Sequence, residues 1–479
     1  MRNPTIMRYP LAGSGSAPHT EAGSASRRAA SLTLTAMSLG YAVVQLDVTI
    51  VNTAVNAIGM SLGGGVAALQ WVVSAYTIAF AAFILTAGAL GDRIGAKRVF
   101  MSGFAIFTAA SLACALAPSA ALLVAARCVQ GLAAAILVPN SLALLSHTYG
   151  DECARGRAVG TWAAGASVAL TAGPFVGGGL IVLAGWRAIF LVNLPIGLVG
   201  LWLAWRHAAE PKRLPRREID WLGQITAVAA LGCLAGAIIE GGELGWSHTA
   251  VMAGFMMAGL CGLTFIWQEQ RAAQPMLPPE LFKHRMFTLT SLAGLLVNVA
   301  FYGLIFVLSL YFQKVNGLSP FATGLAFVPM MGAVLPVNLI AARVSERIGA
   351  PAAIASGAIV SAIGCLAMLG IEPHTRYGAL CAQMIAIGAG LGLLVPPLTS
   401  ALLASVDKSR SGTAAGVLNA ARQAGSVVGV ALFGSLVGDD ERFMHGTHAA
   451  LIISALVLLV AAAVILIRWY GPCGQEENP

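Results

Sequence analysis

Charge is scarce in this chain. Lysine, arginine, aspartate and glutamate make up only 10% of its 479 residues, whereas 58% are hydrophobic and the mean hydropathy is +0.80. Because a water-soluble domain is roughly one quarter charged, a single fold in water could not bury this much apolar surface. The composition therefore excludes a soluble globular protein and predicts a chain embedded in a lipid bilayer.

Lysine is rarer still, and none of the five lysines follows a glycine. A phosphate-binding P-loop needs a Gly-Lys step in a glycine-rich loop, so the sequence contains no ATP site of that kind. We therefore expect an ion gradient to be the energy source and expect no bound cofactor, while a partner ATPase chain stays open. The eight cysteines lack CxxC spacing and the eight histidines lack partners at ligand spacing, so neither a disulfide framework nor a metal site is predicted.

Long apolar runs fill the rest of the chain. The polar segment 1–30 lacks the apolar core of a secretory signal, and we predict a disordered tail there. A helix needs about 20 residues to cross a hydrocarbon core of about 30 Å. Fourteen runs of that length follow, at approximately 33–57, 69–90, 98–117, 119–147, 158–183, 187–205, 220–239, 249–267, 287–312, 321–342, 351–370, 377–402, 412–435 and 449–468.

The positive charges between these runs predict the orientation. With both ends on one side, 22 of the 28 lysines and arginines fall on that side and four on the other, while Arg127 and Arg422 lie within runs. Short cytoplasmic loops hold the excess of positive charge, so both termini are predicted to be cytoplasmic. Nucleic-acid binding is the rival explanation of the +8 net charge, but no basic patch is interleaved with aromatics, and we expect no nucleic acid partner.

The chain also repeats itself. The second and tenth runs are followed by similar loops, residues 88–98 (GALGDRIGAKR) and 343–350 (RVSERIGA). Two six-helix halves flanking an inserted pair of helices place these loops at matching positions. Transporters built from two repeats bind substrate between the halves and rock them for alternating access. The predicted division is a cytoplasmic tail, a first half, a linker with two helices, a second half and a second cytoplasmic tail, at 1–30, 31–206, 207–285, 286–470 and 471–479.

Several segments resemble the major facilitator superfamily and, within it, the fourteen-helix drug:proton antiporters. The first loop is similar to the superfamily's signature between helices two and three, and the resemblance runs from residue 33 to about 470. Five further segments are similar to the antiporters: 46–52 (LDVTIVN), 127–131 (RCVQG), 173–179 (GPFVGGG), 185–197 (GWRAIFLVNLPIG) and 419–425 (NAARQAG).

The resemblance implies an all-α integral membrane protein with the major facilitator fold. It implies proton-coupled export of drugs or other amphipathic molecules, preferably cationic, from a bacterial cell across its plasma membrane. Membrane lipid, the proton and a small-molecule substrate are then the partners, and we expect a monomer. Export of an endogenous metabolite or antibiotic, or nutrient uptake, stays the alternative. An enzyme or channel is disfavoured because neither paired buried catalytic groups nor a charged pore ring is evident.

Asp47 is the only acid deep within a predicted span. A carboxylate inside a membrane is costly unless it is paired or takes up a proton, so it is functional by default. Arg127 is a candidate partner, and Gln130 lies one turn further along the same helix face. The resemblance implies a role for Arg127 in proton transfer or coupling. The competing interpretations are that Asp47 only fixes packing and that Arg127 extends to the outer interface.

Two other groups are singled out. A conformational latch in the repeated loops is predicted from Gly88, Asp92, Arg93, Gly95, Arg98, Glu346 and Arg347, although plain solvated loop charges would look alike. A kink in the fifth helix and a tight seam between the halves are predicted from Gly173, Pro174, Gly177 and Gly178, because proline removes a backbone hydrogen bond and glycines allow close approach. Ordinary membrane-helix glycines are the alternative there.

Four more buried polar residues are Asn52, Asn419, Arg422 and Gln423. Arg422 is the second cation placed within a predicted span. It has three alternatives: to pair with an acid, to face the central cavity or to bind helix carbonyls. The sequence does not choose among them.

Overall fold

The computed structural model describes residues 19–63, 65–211, 220–272, 274–373, 375–407, 410–438 and 441–470. Within these ranges the chain is helical, without strands. Fourteen helices follow one another: α1 (His19–Leu62), α2 (Val66–Ile94), α3 (Ala96–Leu116), α4 (Ala120–Thr148), α5 (Glu152–Ala184), α6 (Ala188–His207), α7 (Trp221–Leu244), α8 (Thr249–Arg271), α9 (Arg285–Leu310), α10 (Pro320–Ile348), α11 (Ala350–Ala367), α12 (Tyr377–Ala404), α13 (Ser411–Leu436) and α14 (Phe443–Tyr470).

The predicted fourteen spans correspond to these fourteen helices. Thirteen of the described helices are long and apolar enough to cross a membrane. The exception is α13, whose 26 residues include Asn419, Arg422 and Gln423. These polar side chains lower its mean hydropathy, and α13 packs mainly against α2, α7 and α9, with smaller contacts to α12 and α14.

The boundary of the N-terminal tail differs from the prediction. Helix α1 begins at His19, so residues 19–30 are helical rather than disordered. The reason is that this stretch contains several alanines and arginines, which favour helix even outside an apolar span. Residues 1–18 and the predicted C-terminal tail 471–479 lie outside the described part of the chain.

The two halves share one packing arrangement. In the first half, α1 packs against α5 and α6, α4 against α2 and α3, and α3 against α6. In the second half, α9 packs against α13 and α14, α12 against α10 and α11, and α11 against α14. Each pair in one half therefore has its counterpart eight helices along. The internal sequence repeat reflects a structural duplication.

The inserted helices α7 and α8 pack on each other, and α7 also contacts α2 of the first half and α13 of the second. Polar contacts hold α7 in place, since Trp71 Nε1 donates to Glu240 (3.1 Å) and Gln224 Nε2 donates to the Ala82 carbonyl (3.0 Å). The inserted pair thus lies across one junction between the halves. Helix α8 exposes many large apolar side chains, as expected for a surface that faces lipid.

Hydrogen bonds between the halves join them at the end of the bundle that carries the α1–α2 and α9–α10 connections. Ser309 Oγ donates to the carbonyl of Asn52 (2.5 Å), and Gln70 Nε2 donates to the carbonyl of Ala431 (2.7 Å). All four residues are buried. We call this end the closed end.

Candidate functional site

Asp47 lies inside the first half with a fully buried side chain. Its carboxylate accepts hydrogen bonds from Arg127 Nη1, from Gln130 Nε2 (2.9 Å) and from Asn193 Nδ2 (3.1 Å). These donors come from α4 and α6, so the carboxylate joins three helices. These hydrogen bonds satisfy a buried polar group that would be costly without partners.

Arg127 is also buried, with 1% of its surface exposed, and forms an ion pair with Asp47. Its Nε donates to the Val72 carbonyl (3.1 Å), and Nη1 donates to Gln130 Oε1 (2.7 Å). The guanidinium carbon lies 4.3 Å from the centre of the Tyr76 ring, a cation–π distance. The side chain therefore points into the half, and the interpretation that it extends to the outer interface is wrong.

Ser111 on α3 completes the group. Its hydroxyl accepts from Gln130 Nε2 (2.6 Å) and from Asn193 Nδ2 (3.0 Å). We define the Asp47 cluster as Asp47, Ser111, Arg127, Gln130 and Asn193. All five side chains are at most 1% exposed, so the cluster is closed to solvent in this conformation.

Sequence reasoning brought together three of the five cluster residues and missed Ser111 and Asn193. Asn193 lies in the segment 185–197 that resembles the antiporters, and a lone amide in an apolar span was the available signal. Its Oδ1 has no hydrogen-bond partner in the described part of the chain. Ser111 gave no signal, because serines are common in membrane helices.

Pro174 lies inside the continuous helix α5, next to a contact with α1. Pro174 has no N–H, which leaves the carbonyl of Leu170, four residues earlier, without its helical partner. Thr49 Oγ1 donates to that carbonyl at 3.0 Å. A Cβ at Gly173 would lie 2.0 Å from Thr49 Oγ1, so only glycine admits this hydroxyl. The carbonyl that Pro174 leaves free in α5 is thus bonded to α1, two residues beyond Asp47. The kink itself stays a prediction.

The glycines of the same segment face two different partners. Gly177 packs on Ile50 of α1 within the first half. Gly178 faces the second half, where an added Cβ would lie 2.4 Å from the Pro320 carbonyl. On the other side of this contact, a Cβ at Gly324 would lie 2.2 Å from the Pro174 carbonyl. Gly178 and Gly324, rather than Gly173 and Gly177, form the seam between the halves.

The two repeated segments, predicted as loops, are helical except at one glycine each, because α2 and α3 meet at Gly95 and α10 and α11 meet at Gly349. Gly95 has φ 111° and Gly349 has φ 85°, values that L residues with side chains rarely adopt. In the first loop, the carboxylate of Glu210 accepts from the backbone N–H groups of Lys97 (3.0 Å) and Arg98 (3.3 Å). Glu210 therefore caps the N-terminus of α3, a contact that the sequence did not reveal.

The other predicted latch residues lie around these turns. Gly88 is beside Pro139 of its own half, and Asp92 is half-buried. Four of the latch side chains are exposed: Arg93, Arg98, Glu346 and Arg347. Their role as a latch stays a prediction.

The other polar residues that the sequence placed in the spans form two groups. Some donate to a carbonyl of their own helix, and others have no partner among the described atoms. Asn52 and Asn419 donate to carbonyls of their own helices, Val48 (3.0 Å) and Ala415 (3.0 Å). Gln423 Oε1 is buried and has no partner among the described atoms.

Arg422 also forms no hydrogen bond or ion pair with the described residues. It is half-buried beside Gly294 of α9, within electrostatic range of the hydroxyls of Tyr41 and Tyr302. Of the three alternatives left open by the sequence, pairing with an acid and binding helix carbonyls are not observed. That its guanidinium faces the central cavity stays a prediction.

Comparisons with known proteins agree with this architecture. The family model described as Major Facilitator Superfamily matches residues 37–430 and 290–478. The chain is 36% identical to the methylenomycin A resistance protein of Streptomyces coelicolor, over 89% of this chain and 90% of that protein. It is also 36% identical to the multidrug resistance protein Stp of Mycobacterium tuberculosis, over 85% of this chain and 75% of that protein.

Solved structures share the fold at lower sequence identity. A bacterial homologue of the human lysosomal transporter Spinster, crystallised in an inward-facing and unoccupied conformation, matches with a TM-score of 0.66. The match covers 92% of this chain and 96% of that one at 17% identity, which shows the fold alone. From the family model, the relatives and the duplicated helix packing, we conclude that the chain belongs to the major facilitator superfamily and is a multi-pass membrane transporter rather than an enzyme.

Proposed function

We propose that the chain is a proton-driven antiporter that exports drugs or other amphipathic small molecules across a bacterial plasma membrane. The names of its relatives as resistance proteins support drug export. The observation that carries proton coupling is the fully buried carboxylate of Asp47, the one acid that lies deep in the spans of either described six-helix half. One proton crossing a potential of 100 mV supplies about 2.3 kcal/mol, and a buried carboxylate is the group that can take it up.

Protonation of Asp47 would change the contacts of α1. The neutral carboxyl loses its attraction to Arg127, and the guanidinium keeps the Val72 carbonyl, Gln130 and the Tyr76 ring. The new O–H needs an acceptor, and Asn193 Oδ1 is unpartnered beside it, so rotation of the amide offers one. The cluster can therefore accommodate both protonation states of Asp47. The attraction between α1 and α4 is weaker when Asp47 is protonated.

Helix α1 connects the Asp47 cluster to the closed end. Helix α1 contains Asp47, Thr49, which donates to the Leu170 carbonyl of α5, and Asn52, whose carbonyl accepts from Ser309 of the second half. A weaker attraction to α4 would allow α1 to move. Movement of α1 would weaken its hydrogen bond to Ser309, which joins the halves. In our proposal, proton uptake favours opening of the closed end.

We place both termini in the cytoplasm because the loops on that side hold most of the lysines and arginines. The closed end is then extracellular, and the described conformation is closed toward the outside. Protons entering from outside would meet Asp47 after opening, and substrate would be loaded from the cytoplasm.

The test is accumulation of a panel of fluorescent amphipathic drugs in everted vesicles with an imposed inside-acid gradient. Wild type is compared with Asp47→Asn and with the matched control Asp151→Asn. Asp151 is exposed and accepts from the Ala154 N–H (2.8 Å) as the cap of α5, a role that asparagine also fills.

We expect gradient-dependent accumulation in wild type and in the control, and none in Asp47→Asn. A protonophore should abolish the accumulation in wild type. Accumulation by Asp47→Asn at the wild-type level would contradict the coupling role of Asp47, and accumulation that survives the protonophore would contradict proton coupling altogether.

A further inference from the structure

Three charged side chains lie deep within the described spans of the two six-helix halves: Asp47, Arg127 and Arg422. Asp47 and Arg127 neutralise each other inside the first half. Arg422, near the middle of the 26-residue α13, has no hydrogen bond or ion pair with any residue that the structure describes. Intramembrane arginines are expected to find a partner, so the missing partner of Arg422 requires an explanation.

The position of Arg422 is at the junction of the halves. Its Cγ would lie 3.5 Å from a Cβ at Gly294, which places the base of the side chain against α9. The guanidinium is within electrostatic range of two phenols, that of Tyr302 on α9 and that of Tyr41 on α1 of the other half. Its charge is therefore within range of groups from both halves, as expected for a substrate site in transporters with two repeats.

The first half contributes a pair of stacked aromatic rings. The ring of Tyr41 stacks on Trp162 of α5, with centroids 4.2 Å apart and planes 18° from parallel. Trp162 is itself fixed by a hydrogen bond from Nε1 to Ser141 Oγ (3.1 Å). The charge of Arg422 is thus within range of Tyr41, whose ring is stacked on Trp162 in the other half.

The charges decide which ligand this arrangement suits. A half-buried guanidinium without a partner attracts an anion and repels a cation, and both effects are strong where water is partly excluded. Asp47 cannot attract a cationic ligand at this surface, because it is fully buried within the first half and already held by Arg127. The structure therefore favours an anionic ligand, which differs from the cationic preference expected from the family resemblance.

We propose that Arg422 binds the carboxylate of an amphipathic, monoanionic substrate, whose apolar part lies against Tyr41 and Trp162. This inference rests on the proposed export function and names its substrate class. Arginine is suited to the role because its planar fork can donate two parallel hydrogen bonds to one carboxylate.

The test is equilibrium binding to the purified protein in phosphatidylcholine nanodiscs, which contain no anionic lipid to compete for Arg422. The probes are pyrenebutyrate, its neutral amide and pyrenebutylamine, which share one apolar group and differ in charge. Binding to empty nanodiscs is subtracted. The variants are Arg422→Gln, Arg422→Lys and, as the matched control, Arg343→Gln, whose arginine is exposed on the same half.

We expect wild type to bind the carboxylate about tenfold or more tighter than the amide or the amine, the size of one charge-assisted pair. Arg422→Gln should lose this preference while still binding the amide. Arg422→Lys should keep part of the preference, and the control should keep all of it. The lysine variant retains the charge and so separates lost binding from lost folding.

Three results would overturn the proposal: no measurable binding of the carboxylate to wild type, tighter binding of the amine, or an unchanged preference in Arg422→Gln. Because the assay uses no proton gradient, a failure here is distinct from a failure of proton-coupled export. Gradient-driven accumulation of cationic drugs alone would leave coupling standing and remove the anionic substrate class.

Discussion

The two halves share their helix packing but differ in where they hold charge. The first half buries an ion pair between α1 and α4, enclosed by amides and a hydroxyl. The corresponding helices of the second half, α9 and α12, have no charged residue beyond Arg285 at the start of α9. The second half instead carries Arg422 at the junction, deep in α13 and without an ion pair to any residue that the structure describes. In this duplicated fold the candidate proton site thus lies inside the first half, and the candidate substrate site lies at the junction of the halves.

Breaking the buried ion pair should have the largest effect. Asp47→Asn leaves the Arg127 charge buried without its counter-ion, which costs about 3–5 kcal/mol of stability. The double variant Asp47→Asn/Arg127→Gln removes both charges and should recover much of that loss. Thermal unfolding of the purified proteins measures both changes.

The double variant also separates structure from coupling. We expect it to be as stable as wild type or nearly so, yet unable to use a proton gradient. Equal stability of Asp47→Asn and wild type would contradict an ion pair in the native state. Recovery of gradient-driven transport in the double variant would show that the cluster only holds the fold.

The seam between the halves should respond next. Gly178→Ala places a Cβ 2.4 Å from the Pro320 carbonyl, and overpacking of this kind costs about 1–3 kcal/mol. The closed end should open more often, and hydrogen exchange of residues 320–327 should accelerate about tenfold. Gly179→Ala is the matched control, because its Cβ would meet only Phe321 at an ordinary 3.8 Å.

Accelerated exchange in both variants would instead indicate a general weakening of α5. No acceleration in Gly178→Ala would contradict the assignment of this contact to the seal. The comparison between neighbouring glycines is informative because both substitutions have the same helix propensity and differ only in the partner that the new Cβ meets.

A smaller effect is expected where α1 contacts α5 beside Pro174. Thr49→Val removes the donor to the Leu170 carbonyl, and a hydrogen bond of this kind contributes about 0.5–1.5 kcal/mol. Thr53→Val is the control, since Thr53 Oγ1 donates to the Ile50 carbonyl of its own helix (2.7 Å). Thermal unfolding should show a larger loss of stability for Thr49→Val than for Thr53→Val. The reverse order would contradict a stabilising hydrogen bond from α1 to the Leu170 carbonyl of α5.

The smallest effect concerns the cap of α3. Glu210→Gln keeps an acceptor for the Lys97 N–H but removes the negative charge at the helix N-terminus, a loss of about 0.3–1 kcal/mol. Glu346→Gln, in the last turn of α10, is an exposed control without a capping contact in the described part of the chain and should be close to neutral. A high-salt buffer should shrink the difference in unfolding temperature between the two variants, because salt screens exposed charges.

Much of the fold was predictable because apolar length, loop charge and the repeated loop are properties of the sequence alone. The cluster was predictable only in part: Asp47, Arg127 and Gln130 are exceptional in apolar spans, whereas Ser111 is an ordinary residue that gains meaning from its neighbours. Glu210 was missed because its partners are backbone N–H groups more than a hundred residues away. The sequence could not show which of Gly177 and Gly178 contacts the second half, because that depends on how α5 is rotated about its axis.

The central claim is that the Asp47 cluster couples the proton while substrate binds elsewhere. The most direct test is transport by the double variant Asp47→Asn/Arg127→Gln in proteoliposomes, measured once as substrate counterflow at equal pH and once as accumulation against an imposed pH gradient. We predict counterflow close to wild type and no uphill accumulation. Uphill accumulation at the wild-type level, or loss of counterflow together with accumulation, would contradict the separation of the two sites.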